Sequence, residues 1–377
     1  MIKIASLVPY RIVPPVTGGE KAVYYFLEGL STRIPIDCFT VTENTDMKVP
    51  DVMVLPLLGA MRSKIRYINP LLFFRIRRAC RANGIRHLVI EHPYYGWLGI
   101  LLKYMAGLKL IVHSHNIESL RFRSLKKWWW PVLYAYERCT HKSADLNLFI
   151  TTNDRLFGQE RFGLVPEKTM VCTYGIPGLR PVAGEEKLRA KEQLTLKYHL
   201  HPDTRILLFN GTLSYPPNRD AVSEIVQHIN PLLQKEADLH YIILICGSGL
   251  PAAWEGLKAY REMNVIYTGF VEDIGLYFDA ADIFINPVTD GGGIKTKLVE
   301  ALAAGARAVS YRSGAIGVDE ALTGGNLCIV KDGDAPAFAA EIIGCVHRPP
   351  EELPKAFFDH FDWGMITGRV ADAIEKL

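Results

Sequence analysis

Between Pro287 and Gly305 the chain carries three glycines (Gly291, Gly292, Gly293), two lysines (Lys295, Lys297) and one glutamate (Glu300), in that order. The run follows Asp282-Ile-Phe-Ile-Asn286, whose apolar centre reads as a buried parallel strand. Glycines let backbone approach a ligand where a side chain would block it. From Ile294 the apolar positions Leu298, Ala301 and Leu302 fall on one helical stripe. Unpaired N–H groups at a helix start, beside Lys295 and Lys297, make an anion site. Glu300 lies about 10 Å from the glycines at ~1.5 Å rise per residue, and its carboxylate can accept hydrogen bonds from both hydroxyls of a ribose. Phosphates at one end and a diol further along is the layout of a nucleoside diphosphate. The alternative is an ordinary strand–loop–helix connection with exposed lysines; the order and spacing favour the site.

A second group is His113-Ser-His115-Asn116-Ile-Glu118, where an apolar strand gives way to a loop. Strand ends on that side of a doubly wound sheet are where ligands bind. Imidazoles exchange protons near neutral pH, and Asn116 or Glu118 can orient a hydroxyl. Gly18-Gly19-Glu20 closes the loop after the first strand, which suits either a phosphate or sugar at the sheet end or a plain tight turn. Gly247-Ser-Gly249-Leu-Pro-Ala252 imitates a dinucleotide fingerprint, but it follows the second strand of its half and contains Pro251. A structural turn is expected there, not NAD.

The elements that must position these groups repeat in an alternating pattern. Strand-like runs at Ile2–Val8, Asp37–Val41, Val52–Leu55, His87–Ile90, Lys109–His113, Ala144–Ile150 and Lys168–Thr173 are mostly separated by helical stretches. Tyr174–Gly184 breaks all periodicity and is the expected interdomain linker. The pattern restarts at Thr204–Asn210 and continues through His240–Cys246, Asn264–Val271, Asp282–Asn286, Ala308–Tyr311 and Leu327–Val330. A last helix near Trp363–Leu377 has Ile366, Val370, Ile374 and Leu377 on one face. The fold class is α/β, and 377 residues suffice for two domains.

Composition narrows the function. A net charge of +3 is too small to imply nucleic acid. Seven scattered cysteines without a Cys/His cluster suggest reduced core thiols and no zinc. No apolar run reaches transmembrane length, and the chain opens on a strand without a signal-peptide layout, so the expected location is the cytoplasm. One segment departs from this even composition. Between Val52 and Ile90 there is no acidic residue, while Arg62, Lys64, Arg66, Arg75, Arg77, Arg78, Arg81 and Arg86 are interleaved with Leu71, Leu72, Phe73, Phe74 and Ile76. Such a segment, with Lys126-Lys-Trp-Trp-Trp130, suits peripheral contact with the anionic inner face of a membrane. It equally suits a basic helix whose apolar side is core, or a soluble acidic acceptor.

Taken together, the motifs resemble those of GT-B glycosyltransferases of the retaining family 4 over essentially the whole length. The resemblance rests on Phe209-Asn-Gly211, Pro217-Asn218, Ile245-Cys-Gly247, Gly269-Phe-Val271-Glu-Asp273 and Gly291-Gly-Gly293-Ile-Lys295-Thr-Lys297-Leu-Val-Glu300-Ala301, with Gly18-Gly19-Glu20 and His115-Asn-Ile-Glu118 in the first half. It implies two facing Rossmann-like doubly wound domains. Residues 1–180 would form the acceptor domain, rejoined by a crossing helix at 362–377, and residues 181–361 the donor domain. The implied activity is metal-independent, retaining transfer of a sugar from a nucleoside diphosphate to a glycan, lipid-linked or small-molecule acceptor. A UDP-sugar is expected from its frequency in the family, with a GDP-sugar second; both are substrates, and no cofactor is implied. By motif, Glu300 would bind ribose, backbone near Val271 the base, and Lys295 or Lys297 the diphosphate. Gly211, Thr212 and Asn218 would border phosphates or sugar, together with Gly18, Gly19, Gly292 and Gly293. His115 or His113, with Asn116, would steady a sugar or acceptor hydroxyl. Two departures stand out: Gly292 occupies the place of a sugar-reading glutamate common in the family, and Ser214-Tyr-Pro-Pro-Asn218 replaces the familiar Arg and Lys. The lysines of the Gly293–Gly305 stretch are therefore expected to carry more of the phosphate charge. The nearest other readings are a nucleotide-sugar epimerase, a sugar phosphorylase or a non-catalytic membrane-surface sugar-binding protein.

Overall fold

The structure is a computed structural model that describes residues 2–178, 180–290, 294–348 and 351–377. Gly291, Gly292 and Gly293 lie outside the described residues, so the expectations placed on Gly292 and Gly293 are not addressed by it. The chain divides into two compact units. The first runs to Pro177 and regains His360–Leu377; the second takes most of Gly178–Asp359.

Each unit is built on a sheet that is parallel throughout. The first comprises β1 (Ile4–Val8), β2 (Ile36–Val41), β3 (Val52–Gly59), β4 (His87–Glu91), β5 (Lys109–Ser114), β6 (Leu146–Phe149) and β7 (Thr169–Val171), in the order β3-β2-β1-β4-β5-β6-β7. The second comprises β8 (Arg205–Asn210), β9 (Tyr241–Cys246), β10 (Val265–Gly269), β11 (Ile283–Asn286), β12 (Arg307–Tyr311) and β13 (Leu327–Val330), in the order β10-β9-β8-β11-β12-β13. Helices cover both faces of such sheets, so central strands read as unbroken apolar runs; β9 and β11 are buried at every position. In each sheet the winding direction reverses beside its first strand, between β1 and β4 and between β8 and β11. Loops diverge at such a switch point and leave a crevice at the carboxyl ends of the strands.

The final helix, Trp363–Glu375, packs into the core of the first unit through Ile366, Val370 and Ile374. Asp362 caps it by accepting a hydrogen bond from the Met365 N–H at 2.8 Å. Gly29, on the helix Gly18–Ser31, permits the close approach: a Cβ there would stand 2.8 Å from Thr367 Oγ1. The return to the first unit is thus set by apolar matching and a small residue, with the exposed Arg33–Asp372 pair at 2.9 Å adding little.

Some details differ from the sequence expectations. The helix after β8 begins at Pro216, inside the Ser214–Asn218 loop, because proline tolerates the first helical positions, where an N–H would have no partner. The thiols are free, but they are not all core: Cys139 is exposed on a helix surface and Cys328 is half-buried. The tryptophans part company. Trp128 is 86% exposed, whereas Trp129 packs on Phe122 and Trp130 lies beneath Arg123. Among the described residues no helix is long and apolar enough to cross a membrane.

Candidate active site

The helix after β11 spans Thr296–Ala303, two residues later than the apolar stripe from Ile294 suggests, because Lys295 is extended (φ −88°, ψ 91°). Leu298, Ala301 and Leu302 are fully buried as the stripe requires. Lys297 and Glu300 are separated by three residues and so share a face one turn apart, ~4.5 Å along the axis. Lys297 is not a solvated surface lysine. Its ammonium donates to the Asn210 carbonyl at the end of β8 (2.8 Å) and to Asn218 Oδ1 (3.0 Å), and lies 4.7 Å from the Phe209 ring centre. Burial, then the neighbouring Lys295 charge, pulls its pKa down to about 7, although Glu300 opposes the shift. A cation so poorly compensated has a strong preference for an incoming anion.

The loop after β8 is fixed around the same point. Asn218, in the first turn of the helix Pro216–Glu224, donates to the Thr212 carbonyl at 3.0 Å, so one amide holds the Gly211–Thr212 loop and orients Lys297. Gly211 leaves room for that amide; a Cβ would meet it at 2.7 Å. Gly247, at φ +142°, packs backbone on backbone against Gly211, and Leu213 N–H donates to the Ser248 carbonyl at 2.7 Å. The Gly247-Ser-Gly249 turn therefore braces the neighbouring loop, the structural role expected of it. Val271 lies in the loop between β10 and the helix Ile274–Ala280, which Asp273 caps.

In the first unit, Thr17 and Glu20 form a capping box that starts the helix Gly18–Ser31, with Glu20 accepting the Thr17 N–H at 2.8 Å. Gly18 and Gly19 are its first two residues, and a Cβ on Gly19 would meet nothing within 4 Å. The glycines stand at an open helix start at the end of β1.

The ends of β4 and β5 carry a buried network that sequence reading captured only in part. Glu91 is paired in register with His113 on the adjacent strand. One carboxylate oxygen lies 2.9 Å from His113 Nδ1 and 2.8 Å from His115 Nε2. Burial alone would raise the Glu91 pKa, but the two imidazoles hold it down at about 2. Burial likewise opposes charge on His113, yet Glu91 wins and raises it to about 10. His115 goes the other way, to about 3, through burial and the adjacent His92 and His113. The consistent state is a charged His113, an ionised Glu91 and a neutral His115 whose Nε2–H donates to the carboxylate. His115 Nδ1 then remains a lone-pair acceptor, buried and without a hydrogen-bond partner among the described residues.

His92 stacks on His115 with ring centres 4.4 Å apart and adopts φ +63°, a backbone conformation uncommon for histidine. Its Nδ1 is 3.3 Å from Glu118, which also accepts from Tyr94 (2.8 Å) and Arg121 (3.1 Å). Glu118 is therefore committed to holding the loop, and the hydroxyl it meets is that of Tyr94. Asn116 is half-buried, and its carbonyl accepts from Ser114 Oγ at 2.8 Å. The helix Glu118–Ser124 that follows is anchored from a distance: the buried Glu137 accepts the N–H groups of Glu118 (2.8 Å) and Ser119 (2.9 Å). Burial raises the Glu137 carboxyl to about 7, against these hydrogen bonds. Replacing Glu137 with alanine strands two buried N–H groups and is expected to cost about 2–4 kcal/mol in urea unfolding. Glutamine, which keeps one acceptor, should cost less.

Glu91, His92 and Glu137 were not among the candidate residues read from sequence. Glu91 follows directly on the apolar run His87–Ile90, and only the strand register shows it facing His113. Glu91, His113 and His115 are also the one group with metal-ligand spacing among the described residues, with ligand atoms within 4.8 Å of one another. Hydrogen bonding already satisfies the shared oxygen.

Comparison with known proteins identifies the family. Residues 204–348 match the family described as Glycosyl transferases group 1, and residues 16–177 match Glycosyltransferase Family 4. A chitobiosyldiphosphodolichol beta-mannosyltransferase from Debaryomyces hansenii is 25% identical over 315 residues, covering 76% of this chain and 63% of that protein. A sucrose-phosphate synthase from Thermosynechococcus elongatus superposes with a TM-score of 0.73 at 17% identity, covering 100% of this chain and 99% of the other. Anabaena HepE in complex with UDP gives 0.72 at 16% identity over 100% of both chains. With two parallel Rossmann-like sheets and a family match to each half, the chain belongs to the group 1 glycosyltransferases of family 4 and has their GT-B fold.

Proposed function

We propose that this enzyme moves a sugar from a nucleoside diphosphate donor to a glycan or lipid-linked acceptor, with retention of configuration and without a metal. The observation that carries the donor reading is Lys297, a half-buried cation held beside the end of β8, with Glu300 one turn further along the same helix face. Lys297, helped by Lys295, would neutralise the diphosphate as it leaves, the role a divalent ion plays elsewhere. Glu300 would accept from the ribose hydroxyls, backbone near Val271 would meet the base, and the glycine helix start at Gly18–Gly19 and the loop at Gly211–Thr212 would border phosphate or sugar. His115 would accept a hydrogen bond from a sugar hydroxyl through Nδ1, with Asn116 beside it.

The relatives support the chemical classes. HepE was solved with UDP and with UDP-glucose, and the yeast relative is named for mannosyl transfer to a dolichol-diphosphate sugar. A UDP-sugar is the preferred donor and a GDP-sugar the second. The name of the yeast relative specifies a β-linked product, which from an α-linked donor means inversion. Inversion needs a general base, and His115 at about 3 is a poor proton acceptor. Retention, with the leaving diphosphate oxygen taking the acceptor proton, makes no such demand.

Incubation with UDP- and GDP-sugars and an acceptor panel, with chelator present, is expected to give transfer to a product of the donor's anomeric configuration by proton NMR. A product of opposite configuration, or activity abolished by chelator and restored by a divalent ion, would overturn those parts of the reading.

A further inference from the structure

We infer that the face formed by Lys64–Ile68 and the helix Leu71–Ala82 docks this enzyme on an anionic lipid bilayer. The core side of that helix is already complete: Leu72, Phe73, Ile76 and Cys80 are buried in the first unit. Yet on the opposite side Leu71 and Phe74 are 57% and 63% exposed, and the preceding turn presents Ile65 and Ile68 at 71% and 76%. These four are surplus to the fold.

Their exposure is built in. Arg66, between the two isoleucines, points inward, donating to the Pro9 carbonyl at 2.6 Å and to Tyr67 Oη at 2.9 Å. Anchoring the turn by its central arginine leaves its isoleucines facing solvent. Helical spacing places Arg75, Arg78 and Arg81 on the same outer face as Leu71 and Phe74. None of these three arginines has an ion-pair partner among the described residues, and no acid occurs between Val52 and Ile90. The neighbouring helix Gly96–Ala106 leaves Tyr104 and Met105 exposed as well.

Four protruding apolar side chains beside unpaired guanidinium groups fit the boundary between headgroups and acyl chains. There the apolar groups sink below the phosphates and the arginines pair with them. Charge and apolar exposure together commit the occupant to an anionic bilayer: a neutral protein partner would leave the cations unpaired, and a soluble acidic acceptor would leave Ile65, Ile68, Leu71 and Phe74 in water. The proposal does not depend on the donor or acceptor, and vesicle binding is measured without either.

The test is vesicle co-sedimentation with phosphatidylcholine alone and with added phosphatidylglycerol, at low and high salt. The wild type should bind the anionic vesicles, and high salt should weaken binding. Because each cation near such a surface strengthens partitioning about fivefold, Arg75→Glu with Arg78→Glu should lower it more than tenfold. Ile68→Ser with Phe74→Ser should independently release the protein. All four side chains are exposed, so unchanged thermal melts and unchanged activity on a water-soluble acceptor are expected as controls. No binding by the wild type, equal binding to neutral vesicles, or indifference to both variants would overturn the proposal. So would a stable dimer that Phe74→Ser dissolves, since the occupant would then be a second copy of the chain.

Discussion

Replacing Lys297 with methionine is expected to weaken nucleoside diphosphate binding between about 30-fold and a few thousand-fold, the range for deleting one partner of a buried charge pair. Methionine keeps the length of the side chain and its contact with Phe209 while removing the charge. The pH dependence should change with it. Without ligand, Lys297 is held near pKa 7 by burial and by Lys295. A bound diphosphate stabilises its charged form, so binding takes up a proton wherever the free protein has lost one. Wild-type affinity should therefore be greatest below pH 7 and fall as pH rises through and above it, by up to tenfold per unit. Titration calorimetry in buffers of different ionisation enthalpy reads this uptake directly. The methionine variant lacks it and also subtracts the ligand's own titration. Equal affinity in the two proteins, or identical pH profiles, would remove Lys297 from the diphosphate site.

The second large effect is expected at Glu91. Alanine there leaves the buried His113 without its counter-charge and frees His115 from its orienting acceptor. Removing one member of a buried ion pair costs roughly 3–5 kcal/mol. The pH dependence of stability carries a definite sign. His113 is raised to about 10 from an ordinary 6.5, so the folded protein binds an extra proton between these values. Its stabilising contribution is complete below about pH 6.5 and is lost as pH rises through 10. Urea unfolding at pH 6 and pH 9.5 should show this decline in the wild type and a much flatter response in Glu91→Gln. The glutamine variant keeps the shape, and its kcat should fall with little change in KM for the donor, because His115 loses its fixed tautomer. A similar pH slope in both proteins would show that Glu91 and His113 do not form the pair.

Much of this was legible in the chain, for identifiable reasons. Buried parallel strands announce themselves as apolar runs, and β9, β11 and their neighbours lie where those runs fall. The helix carrying Lys297 and Glu300 could be read because its periodicity and its glycines are local in sequence. Glu91 could not: its partners are 22 and 24 residues away, and only strand pairing brings them together. Glu118 was read as a group that orients a hydroxyl because sequence places it beside Asn116; the fold instead ties it to His92, Tyr94 and Arg121. Asn218 is expected from the motif to border the phosphates; that its amide also holds Lys297 and the Thr212 carbonyl is visible only in the fold. In the basic segment, composition showed the charge but could not say which of the apolar residues were core. That depended on Arg66 turning inward, which a count of arginines does not reveal.

The central claim is that the helix Thr296–Ala303 reads a nucleoside diphosphate, with Glu300 on the ribose. The most direct test pairs a protein change with a ligand change. Calorimetric affinities would be measured for UDP or GDP, whichever binds more tightly, and for its 2′,3′-dideoxy counterpart, with the wild type and with Glu300→Ala. The wild type should lose about 10- to 100-fold on removal of the hydroxyls, the worth of hydrogen bonds to a charged group. Glu300→Ala should lose a similar amount with the ribonucleotide and almost nothing further with the dideoxy ligand. A variant that still distinguishes the two ligands as strongly as the wild type would contradict the assignment.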